Sequence, residues 1–193
     1  KRLLVSQTLL PATDDPLQTY VETPSGALHI QEYWVKRKAQ DQVLGVSYAG
    51  AAQARAAEGI VQAIEGSDGV IICPGNPVTS ISPILAVQRI HRALCECKAR
   101  VVAVSPIVGS APVSGPAAKL LAGVGLPVSV VSVAELYRDF LDVLVIDSCD
   151  VGSKDAIQEM GIRVKTDKIV MRTKEDRSRL ASAVVRLLTD SRG

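Results

Sequence analysis

Residues 73–85 combine residue types that suit an anion-binding loop. Residues 69–72 read Gly-Val-Ile-Ile, a short β-branched run typical of a strand that is buried in a parallel sheet. Ser82 and Pro83 then suit the N-cap and the first position of a helix. A loop between such a strand and helix presents backbone N–H groups at the positive end of the helix dipole, where phosphate binds. The pattern fits a phosphate-binding loop and an ordinary well-capped connection equally well.

A second loop, residues 105–121, is long for a connection between a strand and a helix. It contains three serines, including Ser105 and Ser114, together with Gly109 and Lys119, which falls in the first turn of the following helix. Hydroxyl groups, glycine N–H groups and a lysine would suit a phosphate or nucleotide loop. Taken by itself, the loop fits a solvated surface loop better, because long loops are often but not always functional.

Other side chains that could do chemistry have no partner at a useful spacing. Asp147 ends a predicted strand, where catalytic or metal-binding carboxylates are common, but Asp more often caps a turn. His29 and His91 have no recognisable partner, and no Ser/His/Asp order supports a hydrolytic nucleophile. The four cysteines form no C-x-x-C pair, which argues against a zinc site and favours reduced thiols in the cytosol.

Alternating strand and helix patterns must position these loops. The predicted strands of the main body are residues 70–73, 101–104, 128–131, 143–146 and 162–165. The predicted helices are residues 52–65, 134–140 and 154–160, with others that begin near 83, 116 and 175. This alternation predicts an α/β fold of three layers with a mostly parallel, Rossmann-like sheet, which binds ligands at the carboxyl ends of its strands.

The first 50 residues follow a different pattern. Turn signals separate short runs that predict strands at residues 3–10, 19–22, 28–33 and 43–48. We therefore expect residues 1–50 to form a small β-hairpin or mixed region that contacts a dimer partner or substrate. Residues 51–193 are expected to form the C-terminal part of a Rossmann-like nucleotide-binding domain.

Length and charge limit the possible partners. The chain has 193 residues, of which 47% are hydrophobic, and 22 basic against 20 acidic residues give a net charge of +2. That balance provides no general attraction to nucleic acid or to an anionic membrane. No apolar run reaches membrane-spanning length, and no signal peptide pattern is present. We expect a cytoplasmic protein without nucleic-acid or membrane partners, and the start at Lys1 suggests a fragment.

Three motifs resemble, in order, those of the 2-phospho-L-lactate transferase family, known as CofD: CPGNPVTSISPIL, VVAVSPIVGSAPVSGPAAKLL and VAELYRDFLDVLVID. Residues 9–37 are also similar to that family, so the resemblance covers nearly the whole chain. It corresponds to the C-terminal portion of a family member and therefore implies a Rossmann-like sheet that is incomplete at its N-terminus. Two positions depart from the family, since Cys73 begins a Cys-Pro-Gly where Gly-Pro-Ser is common and Ser114 stands where Lys is common.

The resemblance implies a reaction, its substrates and a set of binding residues. A phospholactyl or phosphoenolpyruvyl group would move from a guanosine diphosphate conjugate to the deazaflavin Fo, releasing GMP, in coenzyme F-420 biosynthesis. Mg²⁺ is the implied cofactor, because the negative charge on the phosphoryl group must be neutralised during its transfer. The implied nucleotide- and phosphate-binding residues are Asn76, Thr79, Ser80, Ser82, Ser105, Gly109 and Lys119.

The resemblance also places important parts outside this chain. The family's glycine-rich loop, its metal-binding aspartate and its catalytic residues are expected upstream of Lys1. This chain is accordingly expected to hold no metal ligand and to show no turnover by itself. The sequence leaves the donor group open among lactate, enolpyruvate and glycerate.

The resemblance also implies an oligomeric state, and two alternative functions stay open. A homodimer is implied by the family, with residues 19–48 as a candidate contact because they contain Tyr20, Tyr33 and Trp34. One alternative function is a nucleotide-sugar-binding regulator of the related gluconeogenesis-factor group. Another is an α/β interaction module that binds no small ligand.

Overall fold

The computed structural model describes residues 7–189 and begins with a small antiparallel sheet. Its strands are β1 (Gln18–Thr23), β2 (Gly26–His29) and β3 (Gly45–Ala49), in the order β2-β1-β3. The Thr23 hydroxyl donates to the carbonyl of Gly26, whose φ of +108° permits the tight turn between the first two strands. A π-helical turn, Glu32–Lys36, follows β2 and buries Tyr33 completely.

A parallel four-stranded sheet forms the centre of the fold. In chain order, the remaining strands are β4 (Gly69–Ile72), β5 (Arg100–Val104), β6 (Ile107–Val108), β7 (Ala111–Pro112), β8 (Val143–Asp147) and β9 (Arg163–Asp167). Strands β6 and β7 form a separate short hairpin, and the other four form the central sheet. The order in the sheet is β4-β5-β8-β9, and all three pairings are parallel. Strands β5 and β8 lie in the middle, and they are apolar along most of their length because both of their faces are buried.

Helices cover both faces of this sheet. They are α1 (Ile60–Glu65), α2 (Ser82–Leu85), α3 (Gln88–Glu96), α4 (Ala117–Gly123), α5 (Val130–Leu136), α6 (Lys154–Gln158) and α7 (Lys174–Thr189). On one face, Val102 and Val145 pack with Leu180 and Val184 of α7. The opposite face packs against the helices α3 to α6. These layers confirm the predicted three-layer α/β fold.

The small antiparallel sheet shares the larger of the two cores. Val21 of β1, Leu28 of β2 and Tyr33 belong to the same buried cluster as Leu120 and Leu121 of α4. The segment that leads into β3 approaches α4 closely, since a Cβ atom added to Gly123 would lie 2.2 Å from Cγ1 of Val43. This packing positions the N-terminal region beside the loop before α4.

Four predictions about individual elements are wrong in whole or in part. Residues 128–131 do not form a strand, because Ser129 accepts a hydrogen bond from the Ser132 N–H as the N-cap of α5. Val130 instead buries one helical face together with Val133 and Ala134, which follow it three and four residues later. Within residues 52–65 only α1 is helical, and the predicted strand 28–33 stops at His29. Residues 7–10 are not a strand, and the rest of the predicted strand 3–10 lies outside the described residues.

No helix within residues 7–189 combines the length and apolar character needed to span a bilayer.

Candidate substrate-binding site

A crevice of about 300 Å³ opens where β4 and β5 end at the carboxyl edge of the sheet. This is the edge at which parallel sheets bind ligands. Its polar side chains are Asn76, Ser80, Ser105 and Ser114. Its larger apolar side chains are Trp34, Val113, Ile169 and Met171. Among residues 7–189, none of those that line the crevice is charged.

Asn76 lies in the loop that follows β4, and its side chain is held by the backbone. Its Oδ1 accepts hydrogen bonds from the N–H groups of Val78 at 3.0 Å and Thr79 at 3.3 Å, as the N-cap of the π-helical turn Pro77–Ile81. These bonds assign the amide orientation, since only the oxygen can accept. The Nδ2 group is buried and has no acceptor among the described residues. A buried donor without a partner is costly, so Asn76 marks a place where a ligand acceptor would be stabilised.

Three of the predicted serines lie in or near this loop, and two of them line the crevice. Ser80 lines the crevice and is exposed. Ser105 also lines it but is buried, and its hydroxyl both donates to the Ile107 carbonyl and accepts from the Ile107 N–H at 3.0 Å. The Ser82 hydroxyl donates to the carbonyl of Pro77 at 2.7 Å and thereby closes the π-helical turn. Neither Thr79 nor Ser82 lines the crevice.

Gly109 and Lys119 hold the surrounding elements together. The N–H of Gly109 donates at 3.0 Å to the carboxylate of Asp150, which is buried in the 3₁₀ turn Ser148–Ser153. Lys119 Nζ donates to the carbonyl oxygens of Ala39 at 2.6 Å and Gln40 at 3.4 Å. Neither residue lines the crevice. Of the seven predicted binding residues, the structure brings Asn76, Ser80 and Ser105 together and places the other four around them.

Trp34 forms an aromatic wall of the crevice, although its sequence predicted only a part in a candidate dimer contact. It lies on the π-helical turn Glu32–Lys36, and its ring faces Gly115 closely enough that an added Cβ there would lie 3.4 Å from Cζ2. Its side chain is half-exposed, at 47%. The available signal was an amphipathic aromatic residue beside turn residues. Ile169 and Met171, which follow β9, gave no signal, because only the order of the strands brings them to this edge.

Asp147 caps a turn at the end of β8. Its Oδ1 accepts from the N–H of Cys149 at 3.1 Å, and its Oδ2 accepts from the N–H of Ile169 at 3.2 Å. Partial burial raises the pKa of this carboxyl, but the backbone N–H donors together lower it more, so the pKa lies below its usual value of 3.8. The ionised carboxylate therefore positions Ile169, which lines the crevice. Of the two roles considered for Asp147, the structure supports the turn cap.

The described residues provide no set of ligands for Mg²⁺. Magnesium prefers carboxylate and other oxygen ligands in octahedral geometry. No group of three or more His, Cys, Asp or Glu side chains within residues 7–189 could hold a metal ion, and the crevice contains no carboxylate. The described residues therefore do not fit Mg²⁺.

Comparison with known proteins identifies the family. The family model for 2-phospho-L-lactate transferase CofD matches residues 1–186. The 2-phospho-L-lactate transferase of Methanosarcina barkeri is 42% identical over 183 residues, which cover 95% of this chain and 59% of that protein. The enzyme of the same name from Methanocaldococcus jannaschii is 41% identical over 185 residues, covering 94% and 58%.

A solved structure shows a similar fold at lower identity. A UPF0052 family protein from Bacillus halodurans superposes with a TM-score of 0.64 and 18% identity, covering 91% of this chain and 60% of that protein. The chain spans about 59% of the length of the curated relatives it matches. On the strength of the family model and these identities, the chain belongs to the 2-phospho-L-lactate transferase CofD family.

Proposed function

We propose that this chain forms a substrate-binding part of a transferase that acts on a guanosine diphosphate conjugate. The enzyme moves the phospholactyl or phosphoenolpyruvyl group of that donor to the deazaflavin Fo and releases GMP, which yields a precursor of coenzyme F-420. The observation that carries this proposal is the 42% identity to a named 2-phospho-L-lactate transferase over 95% of the chain. The crevice at the carboxyl edge of the sheet supports it as a place for a substrate.

The proposed reaction makes specific demands on the site. A hydroxyl oxygen of the acceptor bonds to the phosphorus that carries the lactyl or enolpyruvyl group, and the bond from this phosphorus to the GMP oxygen breaks. The hydroxyl loses its proton, and GMP leaves with the electron pair. The reactants must be held in line, and charge on the phosphoryl oxygens must be stabilised. Residues 73–82 supply the Asn76 amide and loop N–H groups, which suit positioning and hydrogen bonding to oxygen atoms.

A chimeric enzyme tests the proposal. The part of the Methanosarcina barkeri transferase that precedes its matched region is joined to Lys1 of this chain. With Mg²⁺, the guanosine conjugate and Fo, we expect the chimera to release one GMP for each phospholactyl-Fo formed. The isolated chain is measured in parallel, because its lack of turnover is itself a prediction from the sequence. A chimera that folds, as judged by circular dichroism, but forms no product with any of the three donor groups would contradict the proposal.

The same protein preparations test the alternative function, that of a nucleotide-sugar-binding regulator. No described residue favours it, and the structural similarity to the UPF0052 protein concerns the fold. Protection against thermal unfolding by GDP or Fo supports the transferase. Protection by UDP-sugars with none by GDP or Fo would support the nucleotide-sugar-binding regulator instead. Mg²⁺ dependence and a cytoplasmic location stay predictions, with Mg²⁺ dependence read directly from turnover with and without the metal.

A further inference from the structure

Two consecutive peptide groups hold the side chain of Asn76. Its Oδ1 accepts from the N–H groups of Val78 and Thr79, so the positions of these two donors fix the plane of the amide. The same plane sets the direction of the buried Nδ2, which has no acceptor among the described residues. Any group that fixes the two peptide groups therefore also sets where this donor points.

Each of the two peptide groups is held at its carbonyl end by a hydroxyl. The N–H of Val78 shares a peptide group with the carbonyl of Pro77, which accepts from the Ser82 hydroxyl. The N–H of Thr79 shares a peptide group with the carbonyl of Val78, which accepts from the hydroxyl of Tyr48. Ser82 begins the helix that follows, whereas Tyr48 comes from β3, 30 residues before Val78. A hydrogen bond at the carbonyl polarises the peptide group and strengthens the bond that its N–H donates.

The bond from Tyr48 replaces a donor that the backbone cannot provide. In a π-helical turn each carbonyl accepts from the N–H five residues later, and the Pro77 carbonyl does so by accepting from the N–H of Ser82. The residue five positions after Val78 is Pro83, which has no N–H. Val78 is buried, and a buried carbonyl without a partner is costly. The Tyr48 hydroxyl takes the place of the missing N–H.

Tyr48 is itself held in place by the small antiparallel sheet. It lies in β3 opposite Thr19 of β1, which is buried. Burial raises the pKa of the Tyr48 phenol above its usual 10.0, although the Ser82 hydroxyl lowers it by less. The phenol therefore stays protonated at neutral pH and can donate one hydrogen bond, which the Val78 carbonyl accepts.

We propose that Tyr48 is a positioning residue for the transferase reaction, which orients the Nδ2 donor of Asn76 toward the substrate by holding the Val78 carbonyl. Tyr48 is not among the described residues that line the crevice, so it acts through the loop and does not touch the substrate. The antiparallel sheet then has a second task besides packing, because it completes the loop that follows β4. The inference rests on the proposed function for the identity of the substrate, but the hydrogen bonds of the loop can be measured without a ligand.

Amide hydrogen exchange of the 193-residue chain tests the role of the hydroxyl. Tyr48→Phe removes this hydroxyl and keeps the ring. We expect the exchange of the Val78 and Thr79 N–H groups to accelerate about threefold to tenfold, the value of one hydrogen bond. Tyr20→Phe is the matched control, because it removes a hydroxyl that bonds to Gln18 within the same sheet. Unchanged exchange at both N–H groups in Tyr48→Phe, or the same acceleration in Tyr20→Phe, overturns the proposal.

Equilibrium dialysis of the chimera separates positioning from a general loss of structure. Kd for GDP and for Fo is measured with the original residues, with Tyr48→Phe, with Asn76→Ser and with both changes together. The ligand that Asn76→Ser weakens is the one that Nδ2 contacts. We expect Tyr48→Phe to raise the Kd of that ligand about threefold or more. In the Asn76→Ser background, where the donor is already absent, Tyr48→Phe should leave this Kd unchanged.

The outcomes of the dialysis are distinct from a failure of the proposed function. Affinities that Tyr48→Phe leaves unchanged, or equal losses with and without Asn76→Ser, overturn the positioning role. A chimera with the original residues that binds neither GDP nor Fo contradicts the proposed function instead. The exchange of the Val78 and Thr79 N–H groups then still decides whether Tyr48 holds the loop.

Discussion

At the scale of single residues, Asn76 performs two tasks with one side chain. Its oxygen caps the π-helical turn, and its buried nitrogen is left without an acceptor among the described residues. The cap fixes the amide plane, so the donor is already oriented before any ligand arrives. Such preorganisation lowers the cost of binding, because no rotamer freedom is lost at that moment.

Two substitutions at Asn76 separate these tasks. Asn76→Ser keeps a capping oxygen and removes the buried donor, so the free energy of unfolding should change by less than about 1 kcal/mol. Ligand affinity should fall about threefold to tenfold, the value of one hydrogen bond. Asn76→Ala removes the cap as well and should cost about 1 kcal/mol of stability. Chemical denaturation and dialysis of the chimera measure both effects. Unchanged affinity in Asn76→Ser would exclude Nδ2 as a ligand contact.

Asp147 predicts a dependence of stability on pH. Hydrogen bonds hold its folded pKa below the usual 3.8. Folding therefore favours the ionised form, and this contribution is fully present above pH 3.8 and lost as pH falls through the lowered value. Asp147→Asn keeps an acceptor for one N–H but cannot ionise, so its unfolding free energy should fall less over the same acidic range. Urea titrations at several pH values test this, and identical slopes for both proteins would contradict it.

At the scale of elements, the antiparallel sheet depends on a close approach at Gly50. A Cβ atom there would lie 2.1 Å from the carbonyl oxygen of Pro16, and Gly50 has a φ of +86°. Gly125 has a similar φ of +79° but open space around it. The two glycines therefore share the same conformational demand and differ in the available space.

Alanine substitutions at Gly50 and Gly125 measure the effect of this difference in space. Gly125→Ala should cost about 1 kcal/mol, the penalty for a left-handed alanine. Gly50→Ala should cost about 2–4 kcal/mol, because the backbone of Pro16 or of the loop after β3 must also move. The comparison is made by denaturant unfolding, with the two variants in the same buffer. Equal losses would show that the sheet yields freely at this contact.

At the scale of the whole molecule, the family resemblance predicts a homodimer. The N-terminal region leaves Val35 69% exposed and Leu44 56% exposed, whereas Tyr33, one of the proposed contact residues, is fully buried. Sedimentation equilibrium should give twice the mass of the chain, and Val35→Asp should weaken association. Val185→Asp, an exposed valine of α7, is the control. A single monomeric mass at all concentrations tested would contradict the prediction for this chain.

Much of this arrangement follows from local sequence. The apolar runs of β5 and β8 predict a buried parallel sheet, because only strands covered on both faces carry so few polar residues. The equally apolar β4 was predicted to be buried as well, but it lies at the edge of the sheet and none of its residues is buried. The three motifs predicted the family that the comparisons confirm. The pattern failed at residues 128–131, because Val130 forms a helical face with Val133 and Ala134, three and four residues further along the chain.

The sequence by itself determined the parallel sheet, the loop after β4 and the family to which the chain belongs. Tertiary structure decided which side chains share the crevice. It directed Lys119 to the carbonyls of the Trp34 turn and brought Ile169 and Met171 to the same edge from beyond β9. The physical reason is that hydrogen-bond partners and neighbours across a sheet are set by strand order and packing, which link residues more than a hundred positions apart.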